Sequence, residues 1–137
     1  MEYISSDKQF MESKSLETRK YHVLIVDKDK ASIDTTIKAF KSENYKFTEI
    51  TKTKDLVAAI KKEKPDLVIL EVDLNEADGI EVCWDIRADV TLAKLPVVFL
   101  SNRSDDFTQI TAFEAGADEF IAKSARSRLF TNRIKAL

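Results

Sequence analysis

The stretch Asp66–Val72 (DLVILEV) decides the fold. It follows a chain-breaking proline, Pro65, and runs through four consecutive apolar residues, Leu67 to Leu70. A short apolar run bounded in this way reads as a strand covered on both faces. Glu71 then interrupts the pattern, because a carboxylate inside a buried strand is disfavoured unless a partner meets it.

Working outward, the same alternation repeats. Tyr21–Val26 (YHVLIV) reads as a buried strand, and Ala31–Glu43 as a helix with Ile33, Ile37 and Phe40 at helical spacing. Lys46–Ile50 is a second, more amphipathic strand, and Thr53–Lys62 a helix with Leu56, Val57 and Ile60 on one stripe. Beyond the central strand, Gly79 opens a helix carrying Ile80, Cys83 and Ile86, and Pro96 introduces the strand Val97–Leu100. Asp105–Ala115 reads as a helix with Ile110 and Phe113 inward, closed by Gly116 at a left-handed cap. Glu119–Ala122 is a fifth strand, and Ser127–Leu137 a last helix with Leu129, Phe130, Ile134 and Leu137 on its apolar face.

Buried strands joined by helices pair in parallel through right-handed crossovers. The expected fold is therefore α/β, a (βα)5 doubly wound, five-stranded parallel sheet with helices on both faces. Residues 21–137 form that domain, and residues 1–20 read as a polar, flexible extension.

Composition narrows the function. The chain has 137 residues, 34% of them charged, and a formal net charge of -2, which does not suit a general polyanion binder. A single cysteine, Cys83, excludes an intramolecular disulfide and is expected as buried packing. No apolar run approaches the ~18 residues of a membrane span, and no signal peptide is legible. A cytoplasmic protein is expected.

In a doubly wound sheet, chemistry belongs at the carboxyl ends of the strands. Asp27, Lys28 and Asp29 follow the first strand; Glu71 and Asp73 stand at the end of the third; Ser101 follows the fourth and Lys123 the fifth. Carboxylates, a hydroxyl and a lysine gathered from four strands are the groups that handle a phosphoryl group beside a hard divalent cation such as Mg²⁺. Singly, each has a plainer role: Asp27 as a helix cap, Ser101 as a turn residue, Lys123 as a solvated surface lysine.

Four stretches, HVLIVDKDK, PDLVILEVDLNEADGIEVCWDIR, LPVVFLSN and FEAGADEFIAKS, in this order and spacing, resemble the receiver domain of two-component response regulators over Tyr21–Leu137. The resemblance implies strand order 2-1-3-4-5. It also implies an aspartate at the end of the third strand that accepts a phosphoryl group from a histidine kinase, with two acids after the first strand holding Mg²⁺. Asp27 matches the first acid, Ser101 and Lys123 the phosphoryl-oxygen ligands, and Phe120 the aromatic that reorients on activation. Two positions depart from the pattern: Glu71 stands where the phosphoacceptor aspartate is expected, and Lys28 where the second acid is expected. Ser124 replaces the usual proline after the lysine.

Glutamate places its carboxylate about 1.5 Å further out, and a misplacement of about 1 Å costs roughly 100-fold in an oriented reaction. Glu71 is expected to be a poor acceptor whose carboxylate reaches towards Lys123 and Ser101 and partly imitates a phosphoaspartate. Lys28 makes the site less negative and sets an ammonium near Glu71 or Asp27 in the place of the metal. No cofactor is expected, and at most weak Mg²⁺ binding through Asp27 and Asp29. Asp29 either stands in for the missing acid or caps the following helix, the cap being the expectation. Asp73 is a minor candidate for an alternative acceptor.

The reading is a signalling module rather than an enzyme, phosphorylation-independent, acting through protein partners: a kinase, an output domain or a second copy. The resemblance places the output and homodimer surface on the fourth helix, fifth strand and fifth helix, with Glu114, Asp118, Glu119, Arg126, Arg128 and Arg133 available for contacts across a two-fold axis. It also suggests a DNA-binding domain beyond the last helix, with no direct nucleic-acid contact inside the chain. Trp84, just off its helix's inward stripe, covers the core edge or meets a partner. The competing functions are a working phosphoacceptor using Asp73 or Glu71, with metal on Asp27 and Asp29, and a flavodoxin-like cofactor binder. The second is disfavoured because Asp27–Lys30 lacks a phosphate cradle.

Overall fold

The structure, a computed structural model, describes residues 20–40, 44–135 and 137; for residues 127–129, 131 and 135 it describes the backbone alone. The N-terminal extension, residues 41–43 and the side chains of Leu129 and Arg128 lie outside that description; the first helix, expected to run to Glu43, ends at Ala39, where Phe40 leaves helical geometry.

Within it the chain folds as β1 (Tyr21–Val26), α1 (Lys30–Ala39), β2 (Tyr45–Ile50), α2 (Leu56–Glu63), β3 (Leu67–Leu70), α3 (Gly79–Ala88), β4 (Val97–Ser101), α4 (Asp106–Glu114), β5 (Glu119–Ala122) and α5 (Arg126–Lys135). A single 3-10 turn, Lys123–Ala125, joins β5 to α5. The five strands form one sheet in the order β2-β1-β3-β4-β5, and every pairing is parallel.

Alternation along each strand divides the core. Leu24, Val26, Val68, Leu70, Val97 and Phe99 face one layer, where they pack with residues of α2, α3 and α4. Val23, Ile25, Ile69, Val98 and Leu100 face the other, against Ile33 of α1 and Phe130 and Ile134 of α5. Three helices begin on aspartate caps, as expected of short side chains that accept from the first free amides: Asp29 for α1, Asp78 for α3 and Asp105 for α4. Gly116 follows α4 with φ +101°, a left-handed conformation that glycine adopts without steric cost. Cys83 is fully buried, and burial pushes its thiol up to about 11, so it is packing rather than a reactive group.

Two expectations about apolar faces fail. On α4 the residues that turn inward are Thr108 and Ala112, while Ile110 is 57% and Phe113 46% exposed. The cap sets this phase: Asp105 accepts from both the amide and the hydroxyl of Thr108 (3.1 and 2.7 Å), which satisfies the threonine and lets it enter the core. The second is Leu137, which lies beyond the end of α5 and is half exposed rather than part of its apolar face.

Gly79 does more than open a helix. Its amide donates to the Val72 carbonyl (2.7 Å), and a Cβ on it would stand 2.0 Å from the Glu71 carbonyl oxygen. Only a bare α-carbon lets α3 start this close to the end of β3. Gly79→Ala is therefore expected to destabilise the domain by about 1–3 kcal/mol through forced displacement of this junction, measurable as a lower urea midpoint at unchanged m-value.

Candidate functional site

The parallel register builds the site. Val26 pairs with Leu70, so the next residues, Asp27 and Glu71, leave the adjacent strands β1 and β3 together; the Glu71 amide still donates to the Val26 carbonyl (3.0 Å). Ser101 of β4 pairs with Ala122 of β5, which places Lys123 one residue beyond that rung. The four residues thus reach one end of the sheet from four different strands.

Lys123 is the centre. Its ammonium Nζ lies 2.8 Å from Asp27 Oδ2 and 2.9 Å from Glu71 Oε1, and all three side chains are at most 8% exposed. The remaining oxygens are satisfied by backbone. Asp27 Oδ1 accepts from the Asp29 amide at 3.0 Å. The longer stem of Glu71 lets its carboxylate fold back so that Oε2 accepts from the amides of Val72 and Asp73. Among the described residues no buried side-chain oxygen or nitrogen lacks a partner, the condition under which buried charges are tolerated. Burial pulls the Lys123 amine down, but the hydrogen bonds and charges of Asp27 and Glu71 outweigh it, and the net shift is upward from the ordinary 10.5.

The other expected site residues are distributed differently. Lys28 is exposed, so the ammonium in the carboxylate pocket is that of Lys123 and not of Lys28, whose side chain leaves a loop and turns to solvent. Asp29 accepts from the Ala31 amide (3.0 Å) and caps α1. Asp73 is drawn outward by Arg103, at 2.8 Å. Ser101 is fully buried; its hydroxyl accepts from the Arg103 amide (3.0 Å), not from a group on Glu71. Phe120 is buried and stacks on Phe99, with centroids 5.9 Å apart and planes at 24°.

Two arginines were missed by sequence reasoning. Arg103 spans the mouth of the site from the β4–α4 loop to Asp73; the signal was a lone cation between Ser101 and the acids Asp105 and Asp106. Arg87 clamps the far side of the domain, donating to the carbonyls of Leu95 (2.6 Å) and Gly116 (2.9 Å) and pairing with Asp118 (2.9 Å). Nothing in helical spacing announces a side chain that reaches across three segments.

The donor set does not suit a divalent cation. Mg²⁺ wants several oxygen ligands in near-octahedral array, yet Asp27 and Glu71 both hold an ammonium and Asp29 points to its own helix. Among the described residues no three acidic, histidine or cysteine side chains converge well enough to bind a metal. As a nucleophile Glu71 is equally constrained, with one oxygen on Lys123 and the other on two amides.

Residues 23–135 match the family of the response regulator receiver domain. Among curated proteins the chain is similar to the alkaline phosphatase synthesis transcriptional regulatory protein PhoP of Bacillus subtilis, 35% identical over 118 residues covering 84% of the chain and 47% of PhoP. It is also similar to the transcriptional regulatory protein AfsQ1 of Streptomyces coelicolor, at 28% identity, covering 84% and 50%. The chain thus spans about half the length of these relatives. Among solved structures, a response-regulator crystal structure from Chloroflexus aurantiacus matches with a TM-score of 0.80 and 26% identity, covering 86% of this chain and 97% of that one.

The ion triad makes a direct stability claim. Lys123→Met leaves two buried carboxylates facing each other without a cation, and is expected to cost about 3–5 kcal/mol at neutral pH. Because folding raises the Lys123 pKa, its contribution is fully present below the unfolded value of about 10.5 and is lost as pH rises through the higher folded value. Urea unfolding of both proteins from neutral pH upward should therefore give a stability difference that narrows at the alkaline end.

Proposed function

The chain belongs to the response regulator receiver domain family, and from that premise we propose that it is a phosphorylation-independent receiver, held in one state by its own side chains and acting through protein contacts in the cytoplasm. The observation that carries this reading is the double engagement of Lys123 by Asp27 and Glu71. A receiver that takes up a phosphoryl group needs a free carboxylate oxygen for in-line attack, a cation beside it and a lysine able to turn to the incoming oxygens. Here the lysine already has its anion. Glu71 supplies one negative charge where a phosphoaspartate would supply about two with three acceptor oxygens. It imitates the modified residue in position and sign, and only in part in charge.

The contact surface in this reading is α4–β5–α5, but four of the six charges expected to make it work, Asp118, Glu119, Arg126 and Arg133, are engaged inside the protomer. Arg133 pairs with Glu119 (2.9 Å), Asp118 with Arg87 (2.9 Å), and Arg126 reaches Ser32 and Thr36 on α1 (3.2 Å each). What α4 offers instead is apolar: Phe107, Ile110 and Phe113, spaced three residues apart, are 75%, 57% and 46% exposed. A stripe of this kind on a soluble domain marks a binding face. It suits a second copy or an output segment of the same regulator, such as the other half of the longer relatives, some of which are described as DNA-binding response regulators.

Incubation with acetyl phosphate and Mg²⁺ followed by intact-mass measurement tests the central claim. No stable phosphoryl adduct is expected on the native chain, whereas Glu71→Asp combined with Lys28→Asp should acquire one; an adduct on the native chain at either Glu71 or Asp73 would overturn the reading. For the surface, Phe107→Ser with Ile110→Ser is expected to leave the urea midpoint nearly unchanged, within about 0.5 kcal/mol, while reducing self-association in sedimentation equilibrium.

A further inference from the structure

In the same helix layer as α4, α2 and α3 leave a groove of about 370 Å³ between them. Leu56 and Val82 lie buried beneath it, and its accessible apolar lining is Val57 and Ala77, both partly buried, with Ala58 exposed. Its rim carries Asp55, Glu76, Glu81 and Asp85. Several acids elsewhere in this domain hold cations: Asp34 and Glu49 share Lys30, Asp89 holds Lys61, and Glu119 holds Arg133. The four on the groove rim are in no ion pair among the described residues, and they do not converge on a point where a metal could sit. They line an edge instead.

Beside that edge stands Trp84, 53% exposed on α3. At 100° per residue it lies on the outward half of the helix with Glu81 and Asp85, opposite the buried Ile80, Cys83 and Ile86. A large aromatic ring left in water next to unpaired carboxylates is unfavourable for an isolated domain and is a common composition for an interface anchor. The indole face also attracts a cation within about 6 Å.

We propose that the α2–α3 groove and the adjoining Trp84 face form a second docking surface, which takes a basic amphipathic segment of another protein. Its apolar side chains would cover Val57, Ala58 and Ala77, and its lysines or arginines would meet the rim acids, one of them over the Trp84 ring. Charge complementarity fixes the chemistry of the occupant: an acidic or purely apolar segment would leave the rim charges desolvated without partners. This surface is separate from α4–β5–α5 and is independent of whether Glu71 takes a phosphoryl group.

Trp84 is the chain's one tryptophan, so its emission reports the site directly. The probe is a peptide of leucine and lysine at helical spacing, about 14 residues or roughly 20 Å long, with a leucine–glutamate peptide as control. The lysine peptide is expected to shift the emission saturably and the glutamate peptide to leave it unchanged. Asp55→Asn, Glu81→Gln and Asp85→Asn together, all at exposed positions, should weaken binding about tenfold. Asp106→Asn with Glu114→Gln, on α4, should not change it. No saturable shift, or equal weakening by both sets of substitutions, would overturn the proposal.

Discussion

One ammonium between two carboxylates organises this domain. Lys123, Asp27 and Glu71 come from three different strands and meet at less than 3 Å in a setting almost closed to water. Charges in such a place are costly, and the attraction between them offsets the desolvation only when geometry is good and every remaining lone pair is bonded. Both conditions hold here, the second because the amides of Asp29, Val72 and Asp73 turn towards the carboxylates. The triad does not need to add net stability over an apolar core. It needs only to be much better than the same triad with one member missing. That asymmetry ties the ends of β1, β3 and β5 to one another.

The same constraint explains why two substitutions away from the family pattern act together. A glutamate alone would lengthen the reach of the acceptor. A lysine at position 28 alone would remove one metal ligand. With both present, Lys28 turns to solvent and the longer stem of Glu71 carries its oxygen to Lys123 directly. The exposed position of Lys28 shows that its effect is subtractive: it withdraws an acid and adds nothing inside the pocket.

Much of this was legible in the sequence because the governing patterns are local. Buried strands of four to six residues alternate with helical stripes, and a doubly wound sheet then puts strand-end residues together regardless of the details. Asp27, Glu71 and Lys123 were visible on that rule alone, and Glu71 stood out as a charge in an apolar strand. What was not legible depends on phase and reach. The rotation of α4 is set by a single cap, Asp105 on Thr108, which apolar counting cannot see; counting favours Ile110 and Phe113 over a threonine and an alanine. The Arg87 and Arg103 contacts depend on which loop passes within the length of a side chain. Which of the surface charges are free is likewise a question of distance, and Asp118 and Glu119 turned out to be held within the protomer.

That last point changes how the surface of the domain is to be read. A charged residue already paired at 2.9 Å contributes little to a partner, because the partner must compete with an existing bond and with water. The surfaces proposed to bind are those where something is left over: apolar area on α4, and unpaired acids around an exposed indole on α3. They lie on different flanks of the sheet's helix layer, and neither includes the triad. A phosphoryl group would ordinarily couple a receiver's reaction centre to its surface by changing charge at one point. On the proposed function, the charge at that point is built into the chain and the triad is a fixed setting. Regulation on that proposal enters through the surfaces themselves, by the concentration and chemistry of what docks there.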